Sequence, residues 1–248
     1  MSKRIYRFVL VALCLLIPAG AGAQSGAPPA ASGAPAAGET QRGVGAPSIG
    51  RRLGWQADLG AAVIVNPEFQ GGDAYRVLPV PYFDVRYVDR EGTLLFANVP
   101  QGVGGYFLRR RDERGRGFSL GAALAPGFSN RDPEDFPGLD TFGTGLEARV
   151  LMDYGGTNWG AQARLARGVA GGHRGTYLDV GASWRRRIPG KGLFALGPNL
   201  RVGDGQYMNA LYGVTPAESQ ATGLAAFEAG AGLEAVSVQG LVGIGLSR

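Results

Sequence analysis

Residues 142–153 have the sequence FGTGLEARVLMD, in which larger apolar side chains alternate with glycine and charged side chains. The two rows are Phe142, Thr144, Leu146, Ala148, Val150 and Met152 on one side and Gly143, Gly145, Glu147, Arg149 and Asp153 on the other. Successive side chains of a β-strand point to opposite faces. This pattern therefore predicts a strand with one apolar face and one face of small or charged groups.

The same period of two extends outward through the chain from Leu53, and turn sequences such as DREG at 89–92 and YGGT at 154–157 separate the segments. No segment shows a convincing helical period, so the chain is predicted to be all-β. We predict ten strands, with the least marked boundary at residues 100–102. Their expected positions are 53–65, 76–88, 93–98, 103–109, 117–127, 142–153, 158–169, 175–187, 193–203 and 233–246.

With ten strands, the long connections 66–75, 128–141 and 204–232 all fall at one end of the sheet, which is the layout of a transmembrane antiparallel β-barrel of the outer-membrane type. A secreted β-sandwich has the same alternation, with its apolar face inward. The second row consists mostly of Gly, Ala and Ser with occasional charges, which favours a crowded barrel lumen. Aromatic residues near strand ends also suit a membrane-interface girdle. They are Trp55, Phe83, Tyr87, Trp159 and Trp184.

The first 23 residues have the three parts of a secretory signal peptide. Lys3, Arg4 and Arg7 form the basic part, residues 8–17 form an apolar core too short for a bilayer-spanning helix of about 20 residues, and AGA at 21–23 supplies a cleavage site. Residues 24–50 are rich in Ala, Pro and Gly and are expected to be a flexible leader. We therefore expect cleavage near Ala23, and a barrel formed by residues 51–248 in the outer membrane of a Gram-negative bacterium.

Removal of residues 1–23 would change the charge and cysteine content of the protein. The full chain has a formal charge of +5, but without the three basic residues of the leader it keeps 22 Lys and Arg against 20 Asp and Glu. This balance argues against a nucleic-acid partner. The single cysteine, Cys14, would also be lost, so neither a disulfide nor a thiolate metal site is expected.

Two further motifs resemble a known family. PEFQGGDAYR at 67–76, followed by LPVP at 78–81, is similar to the opening of the MltA-interacting protein (MipA/OmpV) family of outer-membrane proteins. YGVTPAES at 212–219, with AGAGL at 229–233, is similar to its most distinctive segment, and the resemblance covers about 53–246. It implies an outer-membrane barrel. The best-known member of the family is a scaffold that joins a murein lytic transglycosylase to a bifunctional murein synthase, and the resemblance implies a similar role here. Other members are described as outer-membrane antigens or permeability factors.

The chain departs from the family pattern at its C-terminal end. Family members continue past the GAGL strand with a further hairpin and end on an aromatic residue, whereas this sequence ends at Leu246-Ser247-Arg248. The resemblance therefore implies twelve strands, of which ten are expected here. A missing hairpin would require a different closure of the barrel, because an open sheet edge is costly in lipid.

Residues that could carry chemistry are few. His173, the only histidine, lies in a glycine-rich turn and is expected to be a solvated loop residue. Ser183 is a poor catalytic partner for it, because it lies about 30 Å along the next strand at about 3.3 Å per residue. Ser219 lies in the 204–232 loop, and no feature of the sequence places it next to His173. Acidic residues in the 128–141 loop lack the spacing of a calcium loop. They are Asp132, Glu134, Asp135 and Asp140. No catalytic, cofactor-binding or metal-binding residue is predicted.

Basic residues cluster at the short turns. One explanation is charge that meets anionic headgroups at the membrane surface; the other is a positive platform for a periplasmic protein or murein. The candidate partner-binding residues are Arg110, Arg111, Arg114, Arg185, Arg186 and Arg187.

The sequence as a whole predicts a non-enzymatic outer-membrane protein. Its expected partners are outer-membrane lipid and, as the resemblance implies, a murein lytic transglycosylase and a murein synthase. The alternative function is a narrow solute channel, whose charged lumen residues either line the pore or close it by pairing with one another. The residues expected to face the lumen are Asp58, Asp84, Arg86, Glu147, Arg149, Arg164 and Asp179.

Overall fold

The computed structural model describes residues 7–17, 53–67, 75–99, 101–129, 131, 138–188 and 192–246, with side chains from 53–59, 83–99, 101–129, 131, 138–187 and 194–240. These ranges contain eleven strands and two short helices. The strands are β1 (Arg7–Ile17), β2 (Gly54–Pro67), β3 (Tyr75–Val88), β4 (Thr93–Asn98), β5 (Gly102–Arg111), β6 (Gly117–Gly127), β7 (Gly145–Gly155), β8 (Trp159–Ala170), β9 (Thr176–Ile188), β10 (Gly192–Gly203) and β11 (Gly232–Leu246). The helices are α1 (Gly205–Tyr212) and α2 (Pro216–Thr222).

The sheet is a closed barrel in which β2 to β11 follow one another in sequence order and pair antiparallel. The predicted all-β antiparallel barrel is thus confirmed, and each of the ten predicted strands coincides with one of β2 to β11 to within a few residues. An eleventh strand, β1, lies between β11 and β2, antiparallel to the first and parallel to the second.

β1 was not among the ten strands predicted from the sequence. Its eleven residues, RFVLVALCLLI, belong to the segment predicted as a signal peptide, and an apolar run of this length is compatible with a buried strand as well as with a leader. The structure is that of the full chain, so the signal peptide, the leader and the cleavage near Ala23 stay predictions. Cleavage at that point would leave the ten strands β2 to β11.

Side-chain exposure distinguishes the membrane barrel from the sandwich. The charged row faces inward: Arg149 is 2% exposed and Arg201 1% exposed. The apolar row faces outward, where Trp55 is 67% and Phe107 70% exposed. A sandwich buries its apolar face between two sheets, whereas this wall buries charges and exposes apolar side chains, as a barrel in lipid does.

The two ends of the barrel have different connections. The turns β3–β4, β5–β6, β7–β8 and β9–β10 share one end, which we call the short-turn mouth. The longer connections β2–β3, β6–β7 and β10–β11 share the other, the long-loop end. At the long-loop end, the boundary predicted at residues 100–102 is confirmed. Gln101 N donates to Asn98 Oδ1 at 2.8 Å, and Gly102 has a φ of +83° where a Cβ would lie 2.1 Å from Leu124 O.

Aromatic side chains mark the short-turn end of the wall. The rings of Trp55 and Tyr87 lie 5.4 Å apart, as do those of Tyr154 and Trp159. Trp184 is paired in the same way with Phe194 on the next strand, at 6.2 Å. Amphipathic rings at one level of the wall are typical of a membrane interface, so the girdle predicted from the strand ends is present at this mouth.

The 204–232 connection contains the two helices α1 and α2, whereas the sequence predicted a chain without helices. Asp204 caps α1 by accepting from Tyr207 N, and Thr215 with Glu218 forms a complete capping box at the start of α2. The Thr-Pro-Ala-Glu sequence at 215–218 carries the signature of such a box, but seven to eight residues are too short for a helical period to show. Neither helix is long and apolar enough to cross a membrane, judged over the described residues.

Candidate functional site: the lumen and its short-turn mouth

All seven residues predicted to face the lumen are buried there, and they form paired layers. In the layer on β2 and β3, the guanidinium of Arg86 donates to Asp84 Oδ2 at 2.5 Å and to Asp58 Oδ2 at 2.7 Å. Arg86 thus holds together two carboxylates on neighbouring strands that would otherwise repel each other. This layer is a fixed structural group rather than an open ring of charges.

A second layer is centred on Glu147 of β7. Its carboxylate accepts from Arg149 at 2.7 Å and from Tyr177 Oη at 2.9 Å. His173 Nε2 lies 3.0 Å from Glu147 Oε1, while His173 Nδ1 accepts from Gly175 N at 3.1 Å. Because Nδ1 is an acceptor, the proton of a neutral imidazole is on Nε2 and points at the carboxylate. Glu147 is therefore saturated by three donors.

A third layer surrounds Asp179 of β9. Arg201 donates to both of its carboxylate oxygens, at 2.8 and 3.0 Å, in the bidentate geometry that gives the strongest ion pairs. Arg164 approaches the same carboxylate at 3.7 Å, and the Arg201 guanidinium also lies over the Tyr177 ring at 4.4 Å. In the three layers together, most of the charged side chains that face the lumen are paired with one another.

His173 corrects the sequence-based interpretation of a solvated loop residue. It is only 4% exposed and makes an edge contact with the Tyr207 ring at 4.7 Å. The turn places it there because Gly171 and Gly172 both have positive φ and fold back over Gly145. Neither serine weighed from the sequence pairs with His173, since Ser183 lies near the other end of β9 and Ser219 Oγ donates to Leu224 O at 2.6 Å.

The long-loop end is covered by α1 and α2. Tyr207 of α1 is fully buried and contacts Ser129 Oγ at 3.2 Å and Arg201 at 3.3 Å. Burial of its phenol raises the pKa of Tyr207 well above the ordinary value, against the lowering effect of Arg201. The hydroxyl thus stays protonated and connects the helix to the charged lumen.

Glu218 attaches α2 to the β6–β7 connection. Its Oε1 accepts from Asp140 N at 2.7 Å and from Arg131 at 3.2 Å, and Arg131 also donates to Gly213 O at 2.7 Å. Burial would raise the pKa of Glu218, but hydrogen bonds from Thr215 and Asp140 and the charge of Arg131 outweigh it and lower the pKa. The carboxylate is therefore held ionised.

The acidic loop is seen only in part. Asp140 is exposed and bonds α2 through its backbone, while Asp132, Glu134 and Asp135 lie outside the described residues. No group of three or more metal-ligating side chains is close enough to hold an ion within the described ranges.

The short-turn mouth contains a polar cavity of about 510 Å³, which we call the vestibule. It begins among the turn residues and extends inward to the Arg86 layer. On one side its wall carries the ring pair Phe96–Tyr106, with centroids 5.4 Å apart, and Tyr106 Oη donates to Asp153 Oδ2 at 2.6 Å. The vestibule also contains the side chains of Asn98, Gln101, Ser119, Gln162 and Arg185.

The six candidate arginines all lie at or beside this mouth, but they do not form one group. Arg110, Arg111 and Arg114 are exposed around the β5–β6 turn, and Arg186 and Arg187 are exposed at the end of β9. Arg185 is different: it is half-buried and donates to Trp159 O at 2.9 Å. It thereby connects β9 to the neighbouring β7–β8 turn. Five of the six are accordingly available at the surface.

A neighbouring arginine that was not among the six has a structural role. Arg109 donates to Asp89 Oδ1 at 2.6 Å and reaches Glu91 at 3.5 Å, so it joins the β5 strand to the β3–β4 turn. The hydrogen bond from Arg109, opposed by slight desolvation, lowers the pKa of Asp89. Only the register of the sheet brings these residues, 20 positions apart, together.

The inverted wall, the paired lumen and the aromatic girdle define an integral outer-membrane β-barrel. The family comparison agrees: residues 59–247 match the model of the family described as MltA-interacting protein MipA, and the chain belongs to that family. The resemblance inferred from the motifs at 67–81 and 212–233 is thus confirmed. Neither a curated protein nor a solved structure matches the chain.

Proposed function

We propose that this protein is a non-enzymatic scaffold of the outer membrane that holds murein-remodelling enzymes at its periplasmic surface. The family description supports a murein lytic transglycosylase as the partner, and a murein synthase is the second expected partner. In outer-membrane barrels the short turns face the periplasm. The short-turn mouth, with its five exposed arginines, is therefore the surface that a periplasmic enzyme would meet.

The observation that carries this proposal over the channel is the state of the lumen. Glu147, Asp179 and the Asp58–Asp84 pair are each neutralised by buried arginines, and α1 covers the long-loop end with Tyr207. Buried ion pairs of this kind are costly to break, so they oppose solute passage. Planar-bilayer recordings should accordingly show no discrete conductance steps, and regular steps would favour the channel.

The scaffold is tested by charge reversal. Arg186→Glu combined with Arg187→Glu should weaken capture of a purified murein lytic transglycosylase in a pull-down with the detergent-solubilised protein. Arg185 is left unchanged because it connects two structural elements. The matched control is Arg167→Glu with Arg174→Glu, two exposed arginines at the long-loop end. Equal capture by both double variants would overturn the proposal.

A further inference from the structure

The vestibule is a built cavity that the scaffold proposal does not use. Its volume of about 510 Å³ lies within the range of about 300 to 1,000 Å³ of small-ligand sites. Its lining extends from the short turns inward to Asp84 and Arg86 of the charged layer and to Gln101 of the β4–β5 turn. A small solute can enter it from the short-turn mouth.

The charge of the lining indicates the class of solute. Three acids and three arginines line the vestibule, so the formal charges cancel. They are Asp84, Glu91, Asp153, Arg86, Arg111 and Arg185. Most are already engaged: Arg86 with Asp84, Asp153 with the Tyr106 hydroxyl, and Glu91 with Arg109. A lining that is neutral and internally paired disfavours an ionic ligand, because binding one would mean breaking these pairs.

Two hydrogen-bond acceptors in the lining remain unused. Gln162 Oε1 and Asp84 Oδ1 are buried and have no hydrogen-bond partner among the described protein atoms. Both are acceptors, so a matching ligand must present donors. The Phe96 and Tyr106 rings also line the vestibule, where 4% and 8% of their surfaces are exposed, and this apolar edge suits a solute that combines hydroxyl groups with an apolar ring.

From these observations we propose that the vestibule is a binding site for a neutral saccharide of one or two rings. The sugar hydroxyls donate to Gln162 and Asp84, and an apolar edge of the sugar meets the exposed parts of Phe96 and Tyr106. This inference goes beyond the scaffold role and involves different residues from Arg186 and Arg187. Failure of one proposal therefore leaves the other standing.

The test is isothermal titration of the purified full-length protein in detergent with cellobiose and with N,N′-diacetylchitobiose as probes. We expect saturable binding of at least one of the two. Ser119→Trp, which places a large ring in the vestibule, should weaken that binding by about tenfold or more. The matched control is Leu120→Trp on the same strand: its partner Met152 is 42% exposed on the lipid-facing side, and affinity should be unchanged.

A second variant keeps the proposal falsifiable if Ser119→Trp fails to give a heat-modifiable barrel. Gln162→Leu keeps the approximate size of the side chain and removes one acceptor, so it should lower affinity several-fold. Absence of saturable heat with both disaccharides overturns the proposal. Equal affinity in the wild-type protein and in folded Gln162→Leu and Ser119→Trp variants does the same, and so does stronger binding of glutamate than of either sugar.

Discussion

The two ends of the barrel differ in how their polar side chains find partners: at one end these groups bond to other protein groups, and at the other they are exposed to solvent. At the long-loop end, Tyr207 and His173 are buried and hydrogen-bonded, and the helix α1 packs against β9, β10 and β11. At the short-turn mouth, arginines remain exposed and a cavity of about 510 Å³ is open. The long-loop end is thus closely packed around its polar groups, whereas the short-turn mouth leaves a cavity and charged side chains exposed to solvent.

The energetic side of the comparison follows from burial. Charges that are removed from water are costly unless every partner is present, whereas exposed charges contribute little to stability. Substitutions in the closed half should therefore lower stability strongly. Those at the mouth should change binding and leave the fold intact.

The largest effect is expected at Glu147. Glu147→Gln removes the carboxylate that neutralises Arg149, and breaking one side of a buried pair costs about 3–5 kcal/mol. Urea titration of the folded, heat-modifiable band in lipid vesicles measures the loss. Glu113→Gln, in the exposed β5–β6 turn, is the control and should leave the midpoint unchanged. If the two variants had the same midpoint, the closed half would not be the stabilising one.

An intermediate effect is expected from acid at the long-loop end. The pKa of Glu218 is lowered in the folded protein, as is that of Asp204, where burial is outweighed by hydrogen bonds from Tyr207 N and Thr176 N. A carboxyl group with a depressed pKa contributes stability that is fully present above its unfolded pKa and is lost as the pH falls through the folded pKa. The attachment of α1 and α2 should thus weaken below about pH 4.

The measurement is amide hydrogen exchange, corrected for the pH dependence of the intrinsic rates. It compares the protection of residues 205–222 with the protection of the strands as the pH is lowered. The variant Glu218→Gln should lose protection already at pH 7 and show a smaller further change in acid. Protection of 205–222 that stays constant from pH 7 to pH 3 in the wild-type protein would contradict the assignment.

The smallest effect is expected at the mouth. Arg116 donates to Asp112 Oδ2 at 2.6 Å on the exposed β5–β6 turn, and this hydrogen bond, against slight desolvation, lowers the pKa of Asp112. Since exposed ion pairs contribute little and are screened by salt, Asp112→Asn should not shift the urea midpoint measurably. A clear loss of stability would show that this turn supports the barrel more than its exposure suggests.

Much of the wall follows from the sequence. Alternation from Leu53 onward predicted ten strands and, through the small and charged second row, which residues face inward, because successive side chains of a strand point to opposite faces. Register shifts, as between β5 and β6 and between β7 and β8, interrupt this alternation locally. Connection lengths then placed the long loops together. The same local logic identified Glu147 and Asp179 as lumen residues and placed the six arginines at the short turns.

Which of these residues meet follows from the three-dimensional fold. Glu147 contacts His173 26 positions away, and Ser129 contacts Tyr207 78 positions away, because closure of the barrel and the register of its strands bring distant positions to one level. The fold also buries His173, which was expected to be solvated, and leaves Arg185 half-buried while the other five candidate arginines are exposed. Which side chains meet depends on how closure of the sheet brings distant strands together, and the alternation within one strand does not specify this.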